Sequence, residues 1–161
     1  HALSGGGALI DVGIYALQAT RYLTGEEPEL VCAMETKSDP VKFREVDESM
    51  TWQARFPSGV LASCSTSYNV SGMGRIRVHT DQGWFGLEPA FNYSGIRGHR
   101  SDGKPLERPE VNQFAAEMDD FARCILEGRP TRVSGEEGLQ DVKIMMAIYE
   151  SATTGRAVKV T

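Results

Sequence analysis

The sequence holds no two cysteines close enough to share a metal or to frame a small disulfide-bonded domain. Cys32, Cys64 and Cys124 are odd in number, far apart and without a C-x-x-C pair. That excludes a zinc ribbon and a disulfide scaffold and leaves free thiols, expected to be mostly buried. Histidine is scarce as well: His1, His79 and His99 stand apart from one another and from carboxylate clusters, so no metal is expected. No apolar run reaches the ~18 residues of a membrane span. The first residues also lack the charged-then-apolar layout of a secretion signal. No membrane partner is expected; the expected compartment is the cytoplasm, with the periplasm as the open alternative, because the chain need not begin where the natural protein does. Positive charge is in deficit, with 17 basic residues against 22 acidic and a net charge of -5. There is no basic run or basic aromatic face to draw nucleic acid. Missing too is a strand leading into G-x-G-x-x-G, so these residues carry no visible dinucleotide site.

What is present is a chain of 161 residues, 40% hydrophobic and 24% charged, enough to bury a core and to fold as one unit. Its most informative stretch is Gly5-Gly6-Gly7, running into a largely apolar helix from Ala8 to Gly25. With Asp11 as zero on a helical wheel, Tyr15 falls near about 40°, Gln18 near about 340° and Tyr22 near about 20°. Leu9, Val12, Ala16, Leu17 and Leu23 spread over the far side. Two readings are open at this point. A narrow polar stripe is commonly the wet side of a helix. A stripe of one carboxylate, one amide and two phenols, with no Lys or Glu among them, also suits the lining of a cleft. The triple glycine has no strand before it and is a weak phosphate-loop candidate.

Gly25 and Pro28 end the helix. Leu30 to Glu35 reads as a strand, closed by Asp39-Pro40. From Asp47, Met50, Trp52, Ala54 and Phe56 alternate with Thr51, Gln53 and Arg55; Pro57-Ser58-Gly59 turns the chain into a return strand from Val60 to Asn69. Arg75 to Thr80 and Trp84 to Leu87 extend this meander. Its polar sides, Thr51/Gln53/Arg55, Ser63/Ser65/Ser67 and Arg75/Arg77/His79, are expected to share one broad sheet face, either solvated or a subunit interface. The stretch from Phe91 to Pro109 reads as a loop or an edge ribbon. Val111 to Glu127 is predicted helical, with Phe114, Ala115, Met118, Phe121, Ala122 and Ile125 as its apolar stripe and Glu117, Asp119 and Asp120 as exposed charge. A last helix begins at the Ser134/Glu137 capping box, with Leu139, Val142, Met146 and Tyr149 as its expected apolar face and Met145 and Met146 as core fillers. Arg156 to Val160 is predicted to be a terminal strand. The fold class is therefore α+β: a predominantly antiparallel open sheet with helices packed on one face.

Several segments together carry a family resemblance: Gly5 through Tyr15, the Arg21-Tyr22-Leu23-Thr24-Gly25-Glu26-Glu27-Pro28 exit, Asn112-Gln113-Phe114 with Glu117, Asp120 and Phe121, and Gly135 through Leu139 with Ala147 through Ala152. In this order they resemble the C-terminal domain of the glucose-fructose oxidoreductase/inositol dehydrogenase (Gfo/Idh/MocA) family. The resemblance implies a glyceraldehyde-3-phosphate dehydrogenase-like C-terminal domain over residues 1–161. It also implies an NAD(P)-dependent oxidoreductase acting on a sugar or polyol, with an N-terminal Rossmann domain lying outside this chain. The family's Asp-x-Gly-x-His-x-x-Asp motif falls on Asp11, Gly13, Tyr15 and Gln18. Tyr15 replaces the usual histidine, as in the glucose-fructose oxidoreductase-like branch, and Gln18 replaces the second acid.

By this resemblance Tyr15 and Asp11 are the catalytic candidates, and Gln18 and Asp11 the substrate-binding ones. Removing a hydroxyl proton requires a base within hydrogen-bond reach. A phenol, ordinarily titrating near ~10, serves near neutral pH when a cation favours its phenolate, and the family's Glu-Lys-Pro lysine of the Rossmann half has that role. The cofactor is expected to be NADP or NAD, held mainly by that half, so that the 161 residues alone are expected to be inactive. A homo-oligomer through the sheet face is implied as well. The alternative is a non-catalytic dimerisation or binding module using the same face.

Overall fold

Strict alternation from Met50 onward forces one side of a strand into the core, and the structure, a computed structural model describing residues 5–106 and 109–161, is built around that strand. His1 lies outside the described residues. The chain up to Ser71 together with Gly135–Thr161 forms one compact unit, and Gly72–Ser134 forms a second. In the first unit β1 (Leu30–Thr36), β2 (Ser49–Arg55), β3 (Leu61–Ser67) and β7 (Val158–Lys159) make a sheet of order β3-β2-β1-β7, antiparallel throughout. Trp52 stands opposite Ala33 on one neighbour and Cys64 on the other. This inner face meets a π-helical turn (Leu9–Gly13), α1 (Ile14–Thr24) and α3 (Gly135–Thr154). Leu9, Leu17, Met50, Trp52, Phe56, Ile144, Met145 and Ile148 form the core between them. Burying side chains of this size contributes about 1.5–3 kcal/mol each. The expected α+β class, helices on one face of an antiparallel sheet, is what the unit has.

The end of the sheet is finished by a side chain. β7 pairs with β1 at Leu30 and Val31, and beyond it the Ala33 N–H donates to Ser151 Oγ at 2.9 Å. Ser151 is fully buried and donates in turn to the Arg156 carbonyl at 2.6 Å. A buried backbone donor left unpaired there would cost about 1–3 kcal/mol.

The second unit holds β4 (Ile76–Thr80), β5 (Gly83–Leu87) and β6 (Gly98–Arg100), an antiparallel sheet of its own, and α2 (Gln113–Glu127). The single broad face expected from three polar strand sides is thus divided: Thr51/Gln53/Arg55 and Ser63/Ser65/Ser67 share a sheet, while Arg75/Arg77/His79 belong to another. Ladder hydrogen bonds, not alternation, decide which strands join. α2 begins two residues later than the expected Val111, with Asn112 as its cap: Oδ1 accepts from Ala115 N at 3.1 Å, and Gly128 closes the helix in the left-handed conformation. Its expected apolar stripe is nevertheless exposed at Phe114, Met118, Phe121 and Ile125. Phe114 does meet the Tyr93 ring, at 5.3 Å between centroids.

The face of α3 differs from the expected one. Leu139, Val142 and Met146 are exposed, whereas Asp141, Ile144, Met145, Ile148 and Ser151 are buried. The helix is apolar over most of its circumference, and the sheet takes the side that also presents Asp141 and Ser151 to buried partners. Of the cysteines, Cys32 is exposed on the outer side of β1, Cys64 is partly buried and Cys124 buried. Burial pushes the Cys64 thiol up to about 12.

The start of the opening helix explains the glycines. The buried Asp47 carboxylate accepts from Gly7 N at 3.1 Å through Oδ1 and from Leu9 N at 2.6 Å through Oδ2, satisfying amide groups that a helix leaves open. A Cβ on Gly7 would fall inside the Asp47 backbone and its Oδ1. Gly7→Ala is therefore expected to destabilise the protein by about 2–3 kcal/mol or more. Gly74→Ala, where an added Cβ meets nothing within 4 Å, should stay within about 1 kcal/mol. Urea unfolding of the two variants checks this, and equal midpoints would show that Gly7 is not held by contact.

Candidate functional site

Asp11 lies in the π turn and is exposed, and Tyr15, in the first turn of α1, is 49% exposed. The carboxylate is not loose. Tyr68, immediately after β3, donates its hydroxyl to Asp11 Oδ2 at 2.8 Å. Desolvation first, then the bond to Asp11, pushes the Tyr68 phenol up to about 12, so it keeps its proton and remains a donor near neutral pH. Behind it stands Phe43, nearly fully buried, with ring centroids 6.1 Å apart and planes 20° from parallel.

The loop carrying Phe43 is tied down by Glu48. This buried carboxylate accepts from Ser38 Oγ at 2.5 Å, Ser38 N at 2.7 Å, Asp39 N at 3.1 Å and Asn69 Nδ2 at 2.6 Å. The Ser38 hydroxyl is the foremost of the donors that hold its carboxyl down to about 2, against the opposing effect of desolvation. Tyr68 N in turn donates to the Glu48 carbonyl at 3.0 Å. Neither Tyr68, Phe43 nor Glu48 stands out in the sequence, because each is brought to Asp11 or its neighbours across tens of residues. The one local signal is Asp47-Glu48, two acids opening an otherwise apolar-alternating strand.

Gln18, placed by the helical wheel beside Asp11, turns its amide to α3. It is half-buried and its Nε2 donates to Asp141 Oδ2 on α3. The π turn at residues 9–13 shifts the phase of Asp11 against α1, whereas Tyr15, Gln18 and Tyr22 keep their α-helical spacing. One turn further, Arg21 is 6% exposed and joins Glu27 at 2.5 Å, Asp141 at 2.8 Å and Glu137 at 2.9 Å. The Glu27 bond, with Asp141 behind it, holds the guanidinium above its ordinary range. Tyr22, the fourth member of the stripe, is 87% exposed. The stripe therefore divides into exposed members, Asp11, Tyr15 and Tyr22, and Gln18, which together with Arg21 fastens α1 to α3.

The same geometry tests whether this helix start can hold a dinucleotide phosphate. Helix amino termini attract anions, but here the amide groups of Gly7 and Leu9 are taken by Asp47, and Tyr149 Oη adds a third bond to Oδ1 at 2.6 Å. Desolvation, followed by that bond, keeps the Tyr149 phenol above its ordinary range. The amide groups of this helix start, already taken by Asp47, do not fit the phosphates of a cofactor. Among the described residues no group of three or more His, Cys, Asp or Glu has the placement to hold a metal ion, and no helix is long and apolar enough to cross a membrane.

Comparison with known proteins gives concordant matches. Residues 1–160 match the profile of an oxidoreductase family, C-terminal alpha/beta domain. The chain is 32% identical to D-xylose 1-dehydrogenase [NADP(+)] of Haloarcula marismortui, over 98% of this chain and 45% of that protein. It is 31% identical to D-xylose 1-dehydrogenase (NADP(+)) 2 of Haloferax volcanii, over 96% and 48%. Among solved structures, aldose-aldose oxidoreductase from Caulobacter crescentus, complexed with glycerol, superposes with a TM-score of 0.90 at 44% identity, over 98% of this chain and 49% of that one. The chain spans about half the length of the curated relatives it matches.

Glu48 generates a pH prediction. Its partners bind the anion, so its contribution to stability is complete above the ordinary glutamate value of 4.5 and is lost as pH falls through about 2. Glu48→Gln should be less stable at pH 7 and should lose less stability between those limits. Denaturant titrations at stepped pH check this; parallel losses in the two proteins would show that Glu48 is not the titrating group.

Proposed function

The chain belongs to the Gfo/Idh/MocA oxidoreductase family, whose C-terminal alpha/beta domain it matches, and from this we propose that it is the substrate and catalytic domain of an NAD(P)-dependent sugar or polyol oxidoreductase. The observation that carries the reading is an exposed carboxylate, Asp11, pinned by Tyr68 one helical turn before the half-exposed Tyr15. The names of its relatives, D-xylose dehydrogenases and an aldose-aldose oxidoreductase, support the substrate class.

In this reading Tyr15 takes the proton of the substrate hydroxyl during oxidation and returns it to the carbonyl oxygen during reduction. Asp11 accepts a hydrogen bond from the substrate and fixes its orientation. Gln18 acts on the substrate only through α1, since its amide is given to Asp141. NADP or NAD, when bound, accepts or supplies the hydride; it is held mainly by a Rossmann domain outside these residues, and the 161 residues alone turn over no sugar.

In the full-length protein Tyr15→Phe should lower kcat by about 10²–10⁴-fold while leaving cofactor affinity nearly intact, as read by steady-state kinetics and NADP titration. Unchanged turnover would end the catalytic assignment of Tyr15, and a wild-type protein that turns over no sugar or polyol would leave the alternative, a non-catalytic dimerisation or binding module.

A second proposal concerns association. The outer face of the four-stranded sheet carries Cys32, Met34, Thr51, Gln53, Ser63 and Ser65 and is poor in charge, which supports a homo-oligomer through that face. Of its charged members, Arg55 is paired with Glu29 at 2.7 Å and Lys159 lies at the edge on β7. Thr51→Arg, at the middle of this face, should convert the full-length oligomer to a monomer in analytical ultracentrifugation. A wild-type monomer would remove the interface.

A further inference from the structure

We propose that Tyr68 is a specificity-determining residue of this site, its ring forming a fixed platform for the apolar C–H face of a cyclic sugar. The inference rests on the sugar-oxidoreductase reading above and deepens it by naming the ring form as the preferred substrate class. Three observations carry it. First, the Tyr68 hydroxyl is bonded to Asp11 at 2.8 Å, so ring and carboxylate share one surface. Second, Phe43 stacks behind the ring and is itself 4% exposed, with Lys42 Nζ 4.8 Å from its centroid; the Tyr68 ring is backed and cannot retreat into the protein. Third, Tyr68 remains 40% exposed despite being held at its hydroxyl, its backbone and one ring side.

A ring fixed in this way has already lost the torsional freedom that binding would otherwise remove. It presents a π surface beside a hydrogen-bond acceptor: a flat apolar wall with one convergent polar group. Among the described residues no protein hydrogen bond is made to Asp11 Oδ1, which leaves that oxygen to a ligand hydroxyl. A pyranose suits this pair because its axial C–H groups lie together on one face while its hydroxyls project from the rim. An open-chain polyol holds no such face without freezing several torsions, and gains less.

The test uses the full-length enzyme with D-xylose and xylitol as reacting probes, and methyl β-D-xylopyranoside, which cannot open, as a binding probe in saturation-transfer NMR. Tyr68→Leu should raise KM for D-xylose by about tenfold and KM for xylitol by less than about threefold; Tyr68→Leu and Tyr68→Phe both lose the bond to Asp11, so the difference between them reads the ring alone. Tyr68→Phe, which keeps the ring, should restore the D-xylose KM to within about threefold of wild type. In the wild-type protein, saturation should pass most strongly to the pyranoside C–H protons of one face, H1, H3 and axial H5 or H2 and H4; this arm needs no variant and holds even where Tyr68→Leu does not fold. Uniform transfer, no transfer, or a Tyr68→Leu effect equal on both substrates overturns the platform. Face-selective transfer without turnover of any sugar or polyol would instead overturn the oxidoreductase reading and keep the platform.

Discussion

A buried carboxylate, Asp47, fixes where the opening helix begins. Its two oxygens accept from Gly7 N, Leu9 N and Tyr149 Oη, and its own carbonyl accepts from Ala8 N at 3.2 Å. The helix start, the approach to β2 and α3 are thereby joined at one point. Hydrogen bonds to a charged acceptor contribute about 1.5–3 kcal/mol each when partners are present, and the same charge would be costly if they were absent. The structural role of Gly7 follows: no side chain fits between the helix start and Asp47.

The far end of α1 is held by the opposite charge. Arg21, nearly fully buried, reaches Asp141 and Glu137 on α3 and Glu27 just past the helix. Gln18 adds a bond to the same Asp141. With its ends fastened, the helix leaves its middle open, and there Asp11 and Tyr15 are exposed. Function on this domain is thus a matter of what the two anchors leave uncovered. The Phe43–Tyr68 pair extends the open region with an apolar surface, and Glu48 keeps that pair in place by holding the loop before β2.

The family, the antiparallel sheet, the run of β2 and the ends of α1 and α2 were legible in the residues themselves. Met50, Trp52, Ala54 and Phe56 are all buried, and Gly25 adopts the left-handed cap expected of it. The features that were not legible share a cause. Nothing in the sequence pairs Arg21 with Asp141 until α1 and α3 lie side by side. Gln18 read as a substrate-facing amide, and only the packing of α3 brings Asp141 to its Nε2. The meander read as one sheet because alternation says which way side chains point and nothing about which ladder a strand joins. In α3 too many positions were apolar for hydrophobicity alone to choose the buried side.

By itself the sequence determined the local periods, the caps and the set of chemically capable side chains, because those depend on residues at most a few positions apart. Asp11 and Tyr15 belong to that category: one helical turn separates them. Only the tertiary structure decided that Asp47 caps the helix and that Tyr68 holds Asp11. Those contacts join residues 40 and 57 positions apart, and no local pattern encodes a hydrogen bond formed only after the sheet has brought its two ends together.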